Sequence, residues 1–142
     1  MAQEETVNDA MVGSAHTTTA DTSIAEAARM MRDADVAIIA VVDDGEELIG
    51  VITDRDITIV VADGVDTRST TVGERMSDSP VSVGQNDDLD AAFRQMIAGD
   101  VHRAPVTDDG GHVWGVLEQS DAARHGEGRR VADSGDSGKK PR

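Results

Sequence analysis

The pattern of apolar and polar positions predicts the same series of elements twice along this chain. In the first half, a helix capped by Asp21 or Thr22 carries apolar residues at helical spacing and closes at Asp35. Its inward face is formed by Ile24, Ala27, Ala28 and Met31. Residues 36–42 form a nearly unbroken apolar run, which is typical of a strand covered on both faces. Residues 48–53 return as its hairpin partner, and a further helix follows.

The second half repeats this order without a gap when the chain is shifted so that Gly50 falls on Gly115. A helix over about 87–98 is followed by a second hairpin, 101–106 with 112–117. A short strand precedes the helix in each copy, at 16–19 and 81–83, so each copy has the order β-α-β-β-α. A lone unit of about 60 residues would be only marginally stable, because it buries only about 60% of its chain surface, so the two copies are expected to pack on each other.

Two related heptads mark the point where each hairpin ends. They are Gly50-Val51-Ile52-Thr53-Asp54-Arg55-Asp56 and Gly115-Val116-Leu117-Glu118-Gln119-Ser120-Asp121, which coincide under the same shift. Both hairpins also contain paired aspartates before glycine, Asp43-Asp44 and Asp108-Asp109, which are interpreted as turn residues. The repeat therefore extends to the local chemistry of the chain.

The charge balance limits the classes of partner. The chain has 28 acidic and 13 basic residues, a formal net charge of −15, and its only lysines are Lys139 and Lys140. This composition resembles that of proteins from salt-loving archaea, although an ordinary acidic mesophile protein remains the alternative. The negative field argues against a nucleic-acid binder. With no cysteine and no apolar run long enough to cross a bilayer, neither a thiolate site nor a membrane span is predicted, and a cytoplasmic location is expected.

The repeat resembles a tandem pair of CBS domains, also called a Bateman module. The segments Val7-x-Asp9-x-Met11 and Val72-x-Glu74-x-Met76 are similar to the beginning of each CBS copy, and the heptad 50–56 matches the family's ligand signature. The segment 101–106, Val-His-Arg-Ala-Pro-Val, is similar to the family strand that supplies phosphate contacts. The resemblance implies an α/β fold (α+β in some schemes) of two repeats with pseudo-twofold symmetry. It also implies a homodimer and an adenosine-containing ligand in the clefts between copies.

The residue chemistry of the first heptad is compatible with such a ligand. Gly50 allows a ligand or a neighbouring strand to approach the backbone, and Val51 and Ile52 could border an adenine. Thr53 lies where a strand gives way to a helix, so its hydroxyl and free N–H groups of the first turn would point towards a phosphate. Asp56 could accept hydrogen bonds from both ribose hydroxyls, or it could simply cap the helix.

Four further residues are candidates for ligand contact, and one position departs from the signature. The resemblance places His102 and Arg103 near the phosphate, and Arg55 is a second cation that could equally face solvent. In the second heptad Asp121 is retained for ribose contact, whereas Glu118 replaces the expected Thr or Ser and would repel a phosphate. The prediction is one competent site and one weakened or empty site.

The sequence therefore predicts a regulatory module that binds AMP, ADP, ATP or S-adenosylmethionine, with AMP or ATP favoured, and signals to an unidentified partner. The alternative is a structural homodimerisation module with non-binding clefts. No catalytic or metal-binding motif is found, so an enzyme is not predicted. Residues 1–64 would form the first repeat with its lead-in, 65–71 a linker, 72–125 the second repeat and 126–142 a disordered tail.

Overall fold

The computed structural model describes residues 5–13 and 15–120. The first half contains α1 (Val7–Ala10), β1 (Val12–Gly13), β2 (Thr17–Thr18), α2 (Ile24–Ala34), β3 (Ile38–Val42), β4 (Leu48–Thr53) and α3 (Asp54–Ala62). The second half contains α4 (Val72–Arg75), β5 (Val83–Gly84), α5 (Leu89–Ala98), β6 (Arg103–Thr107) and β7 (Val113–Glu118). A further helix begins at 119–120. The predicted tail and Asp121 lie outside the described residues.

Helix α2 buries Ile24, Ala27 and Met31 of the predicted apolar face and leaves Ala28 half-buried, but it begins later than predicted. Its cap is Ser23, whose hydroxyl accepts a hydrogen bond from the Glu26 N–H at 3.0 Å, and not Asp21 or Thr22. Asp35 closes the helix in the left-handed conformation with φ of 59°, and its counterpart Asp100 has φ of 58°. A short polar side chain tolerates this conformation better than most residues, which explains why an aspartate follows the helix in both copies.

The two hairpins form as predicted, and their aspartates hold the turns. Strands β3 and β4 pair antiparallel, as do β6 and β7, and each hairpin has one irregularity near its turn. The Asp43 carboxylate accepts hydrogen bonds from the N–H groups of Gly45 and Glu47, both at 2.9 Å. Asp108 does the same for Gly110 and His112, at 2.9 and 3.0 Å. The side chains of both aspartates therefore fix the local register.

The lead-in segments, defined as 5–13 and 71–77, join the two repeats, because each of them pairs with the repeat to which it does not belong. We call this arrangement the exchange of lead-ins. Strand β1 pairs antiparallel with β7 of the other repeat, with Val12 opposite Val116. In the symmetric position, Val51 of β4 forms an antiparallel bridge with Ser77. The sheets are consequently β2-β3-β4 in the first half and β1-β7-β6-β5 in the second, where β1 comes from the other repeat.

The exchange extends to the two hydrophobic cores. Val7 and Ala10 of α1 pack with buried residues of the second repeat, which include Phe93, Met96 and Leu117. Val72 of α4 packs with the first repeat, whose core residues are Ile24, Ala27, Met31, Ile39, Val41, Ile52 and Val60. Each core is thus completed by a side chain from the other repeat. The predicted fold of two mixed α/β repeats is confirmed, and this exchange gives it the pseudo-twofold symmetry.

Candidate ligand cleft between the repeats

The Thr53–Asp56 pair of the first heptad forms a reciprocal cap on α3. Asp56 Oδ2 accepts hydrogen bonds from the Thr53 N–H at 2.8 Å and from the Thr53 hydroxyl at 2.9 Å. The Asp56 N–H donates in turn to Thr53 Oγ1 at 3.2 Å. This is a capping box, which satisfies backbone donors that a helix leaves unpaired at its beginning. The capping alternative is therefore what the geometry shows.

The prediction that the first turn of α3 has free N–H groups was wrong for Asp54 and Asp56. The Asp54 N–H donates to the Ala37 carbonyl oxygen at 3.0 Å, and the Asp56 N–H donates to Thr53. The Thr53 hydroxyl hydrogen is directed at Asp56. A phosphate here would have to displace bonds that already exist, since phosphate oxygens only accept hydrogen bonds. A ribose role for Asp56 stays a prediction.

Gly50 and Ile52 of the first heptad serve packing, whereas Arg55 does not. A Cβ on Gly50 would lie 2.6 Å from the Met76 sulfur and 2.8 Å from the Ser77 carbonyl oxygen, so a neighbouring segment approaches this glycine. Ile52 is fully buried in the first core, which corrects its predicted place beside an adenine because a side chain with no exposed surface contacts no ligand. Val51 keeps 8% of its surface exposed, and Arg55 is exposed on α3.

A cavity of about 340 Å³ lies instead beside the second heptad. The first repeat contributes β1, residues 15–16, the loop between α2 and β3 and the beginning of β3, and the second repeat contributes β6 and β7. The lining residues are Val12, Ala15, His16, Asp35, Val36, Ala37, Ile38, Arg103, Val116 and Glu118. This volume is within the range of about 300–1,000 Å³ typical of small-molecule sites, and such sites combine apolar walls with a few polar groups.

Arg103 and Glu118 are the charged pair of this cavity. They lie directly opposite each other on β6 and β7, with Arg103 Nε 3.9 Å from Glu118 Oε2. The side chains are 27% and 42% exposed, so the pair is accessible to solvent and to a ligand. Of the residues predicted to bind a ligand, Arg103 is the one that the described part of the chain brings to this cavity.

His102 contacts the beginning of the last described helix through its backbone. Its carbonyl oxygen accepts a hydrogen bond from the Gln119 N–H at 2.8 Å, and the Gln119 side chain donates to the Val101 carbonyl oxygen at 3.0 Å. The His102 side chain is exposed and does not line the cavity. Its predicted phosphate contact, like the ribose contact of Asp121 outside the described residues, remains untested. Within 5–13 and 15–120, no group of residues has the arrangement of a metal site.

Sequence reasoning missed the contribution of residues 35–38 and of Val12, Ala15 and His16. A signal for the loop was present, because Asp35-Val36 and Asp100-Val101 coincide when the two repeats are aligned. The lead-in gave no such signal, since its place depends on which repeat it packs against.

Comparison with known proteins agrees with this architecture. The model of the CBS domain family matches residues 7–63 and 72–128. The chain belongs to the CBS domain family. This CBS pair is 34% identical over 102 residues to the uncharacterized protein YlbB of Bacillus subtilis, a stretch that covers 71% of this chain and 69% of YlbB.

Two solved CBS pairs share the fold and were crystallised with ligands. CBSX2 of Arabidopsis thaliana, in complex with AMP, is 28% identical with a TM-score of 0.74, and the match covers 84% of this chain and 94% of CBSX2. The CBS domain pair of protein MJ0100, in complex with 5′-methylthioadenosine and S-adenosyl-L-methionine, is 25% identical with a TM-score of 0.78. That match covers 85% of this chain and 98% of the MJ0100 pair. No helix among the described residues of this CBS pair could cross a membrane.

Proposed function

We propose that this CBS pair is a regulatory module that binds an adenosine-containing ligand in the cavity between its repeats. The observation that carries the proposal is the cavity of about 340 Å³, whose walls are apolar except for a few polar groups that include Arg103, Glu118 and Asp35. The ligands of CBSX2 and of the MJ0100 pair, AMP and two adenosyl compounds, support this ligand class. We retain AMP, ADP, ATP and S-adenosylmethionine as candidates.

The apolar and polar parts of the cavity suit the two ends of such a ligand. Val36, Ile38 and Val116 provide surface against which a flat base would pack. Because the walls come from both repeats, a bound ligand would favour one relative arrangement of them. A ligand shifts a conformational equilibrium by its difference in affinity for the two states, and a partner protein would read that shift.

Calorimetric titration in molar KCl would test this proposal. We expect micromolar binding of at least one of AMP, ATP and S-adenosylmethionine, near one site per chain. Ala15→Phe adds a ring at the cavity wall and should weaken binding roughly tenfold or more, because overpacking costs about 1–3 kcal/mol. The matched control is Ala91→Phe, at an exposed position of α5, which should bind like the native protein. No heat from any of the three compounds on a folded protein would contradict the proposal.

The second candidate is a structural homodimerisation module with non-binding clefts. Ile59 and Val61 on α3 and Ile97 on α5 are large apolar side chains with 43%, 62% and 64% of their surface exposed, which favours a protein contact. We therefore also propose a homodimer. Sedimentation velocity should show a dimer for the native chain and a shift towards monomer for Ile97→Ser. A native chain that stays monomeric at high concentration would rule this out.

A further inference from the structure

We propose that Glu118 makes the cavity selective for an adenosine ligand that carries no phosphate and is neutral or positively charged at its 5′ end. The inference rests on the proposed function and specifies its ligand class. It makes Glu118 the residue that determines specificity, where the sequence alone suggested a weakened or empty site.

The register of the two hairpins places a carboxylate where the first repeat has a hydroxyl. Arg103 pairs with Glu118 in the second repeat, and Ile38 pairs with Thr53 at the equivalent positions of the first. The cavity is lined by Ile38, Arg103 and Glu118 but not by Thr53. A ligand in this cavity therefore meets an anionic side chain at the position that the Thr53 hydroxyl occupies in the first repeat.

The charges around the cavity disfavour a phosphate. Arg103 is the cation of the lining, and it already lies 3.9 Å from a Glu118 oxygen. A phosphate would have to share or replace that ion pair and would leave Glu118 beside a like charge. Asp35 adds a second carboxylate to the lining, and the chain as a whole has a net charge of −15. Like charges about 4 Å apart repel appreciably even near a protein surface, and an opposite charge gains by a similar amount.

A neutral 5′ substituent avoids this repulsion, and a positively charged sulfonium is attracted to the same carboxylates. A thioether nucleoside would occupy the apolar part of the cavity and leave the Arg103–Glu118 pair intact. A sulfonium nucleoside would place its positive sulfur near the Glu118 carboxylate. Both compounds share their adenosine with AMP, so discrimination depends on the 5′ group alone.

Paired titrations of the full chain with 5′-methylthioadenosine and AMP test the inference, because these ligands differ only at the 5′ carbon. We expect the native protein to bind 5′-methylthioadenosine on the order of tenfold more tightly than AMP in dilute buffer. Glu118→Gln should raise the AMP affinity by about the same factor and change the 5′-methylthioadenosine affinity by less than about twofold. The matched control is Glu26→Gln, which removes the same charge from an arginine ion pair on α2, Glu26 with Arg29.

A second variant separates removal of the carboxylate from loss of the ion pair. Arg103→Gln leaves Glu118 in place, so we expect no gain in AMP affinity. A gain of AMP affinity in Arg103→Gln as large as that in Glu118→Gln would overturn the inference. Melting curves without ligand confirm that each variant is folded.

The outcomes also distinguish this inference from the proposed function. If the native protein binds AMP as tightly as 5′-methylthioadenosine, or if Glu118→Gln leaves the ratio of the two affinities unchanged, the proposed selectivity is wrong. The proposed binding of an adenosine-containing ligand would still stand. If neither compound nor S-adenosylmethionine binds to any folded variant, the proposed function fails, and the inference fails with it.

Discussion

Replacing Gly50 with alanine would force β4 and the second lead-in, 71–77, away from each other at the point where they are in contact. The new Cβ would lie 2.6 Å from the Met76 sulfur, which can move because it ends a flexible side chain. It would also lie 2.8 Å from the Ser77 carbonyl oxygen, which is backbone and cannot rotate away. To restore an ordinary contact of about 3.4 Å, the segment at Ser77 must shift by roughly 0.6 Å.

That shift strains two backbone hydrogen bonds between the repeats. The Val51 N–H donates to the Ser77 oxygen at 3.1 Å, and the Ser77 N–H donates to the Val51 oxygen at 2.9 Å. Such bonds contribute about 1 kcal/mol each, so partial weakening of both costs about 1 kcal/mol in total, and overpacking adds about 1–3 kcal/mol. We therefore expect Gly50→Ala to lower the free energy of unfolding by about 2–4 kcal/mol. At about 3 °C per kcal/mol for a chain of this size, the melting temperature should fall by roughly 6–12 °C.

The control for Gly50→Ala is Gly13→Ala, a glycine of the other lead-in. A Cβ at Gly13 meets no atom within 4 Å, so this alanine should be neutral or stabilise by up to about 1 kcal/mol. Urea unfolding in molar KCl measures both variants. Equal stability changes in the two would refute the steric reasoning. If Gly50→Ala weakened AMP binding but left unfolding unchanged, the glycine would serve a ligand and not the neighbouring strand.

Three further predictions follow from the cap, the second hairpin and the surface charge. Asp56→Ala should lower the free energy of unfolding without ligand by about 1 kcal/mol, because it removes the capping contacts to Thr53; urea unfolding measures this. The hydrogen bond from the Trp114 indole N–H, at 2.9 Å, is the largest cause that lowers the pKa of Asp108 from 3.8 to about 2. The stability that the Asp108 carboxylate contributes is present above about pH 4 and is lost as the pH falls from about 4 to about 2. Trp114→Phe should raise the pKa of Asp108, which an NMR titration of its carboxyl group would measure. The melting temperature should be higher in molar KCl than in dilute buffer, because salt screens the repulsion within a chain of net charge −15.

Each of these predictions has its own contradicting result. For the cap, Asp88→Ala removes the N-cap of another helix, α5, where the Asp88 carboxylate accepts a hydrogen bond from the Ala91 N–H at 3.0 Å. It should cost a similar amount, and an Asp56→Ala protein as stable as the native one would argue against the capping box. A loss of ligand-induced stabilisation in Asp56→Ala alone would instead support ribose contact. If the pKa of Asp108 is unchanged in Trp114→Phe, the hydrogen bond from the indole is not the cause of its low value. A melting temperature that does not change with salt would contradict the interpretation of this chain as a salt-adapted protein.

The sequence determined the features that depend on neighbouring residues and on the repeat. The gapless alignment of the two halves, the hairpins and the buried face of α2 follow from local periodicity and turn chemistry. Strand β4 was predicted with its observed bounds, Leu48–Thr53, because an apolar run there ends at a helix cap. Its neighbour β3 begins later than predicted, at Ile38 and not at residue 36. The helix start at Thr53 was also foreseen, but not that its cap uses the groups expected to bind phosphate.

Only the tertiary structure decided how the lead-ins and the cavity are arranged. A helix as short as α1 has too little local pattern to indicate that Val7 completes the core of the other repeat. The same holds for the cavity, because two of its wall residues, Ile38 and Arg103, belong to different repeats and are far apart in the sequence. The sequence showed that Glu118 departs from the signature. That this carboxylate lies in an open cavity opposite Arg103 follows from strand register and from the packing of the repeats, which are long-range properties of the fold.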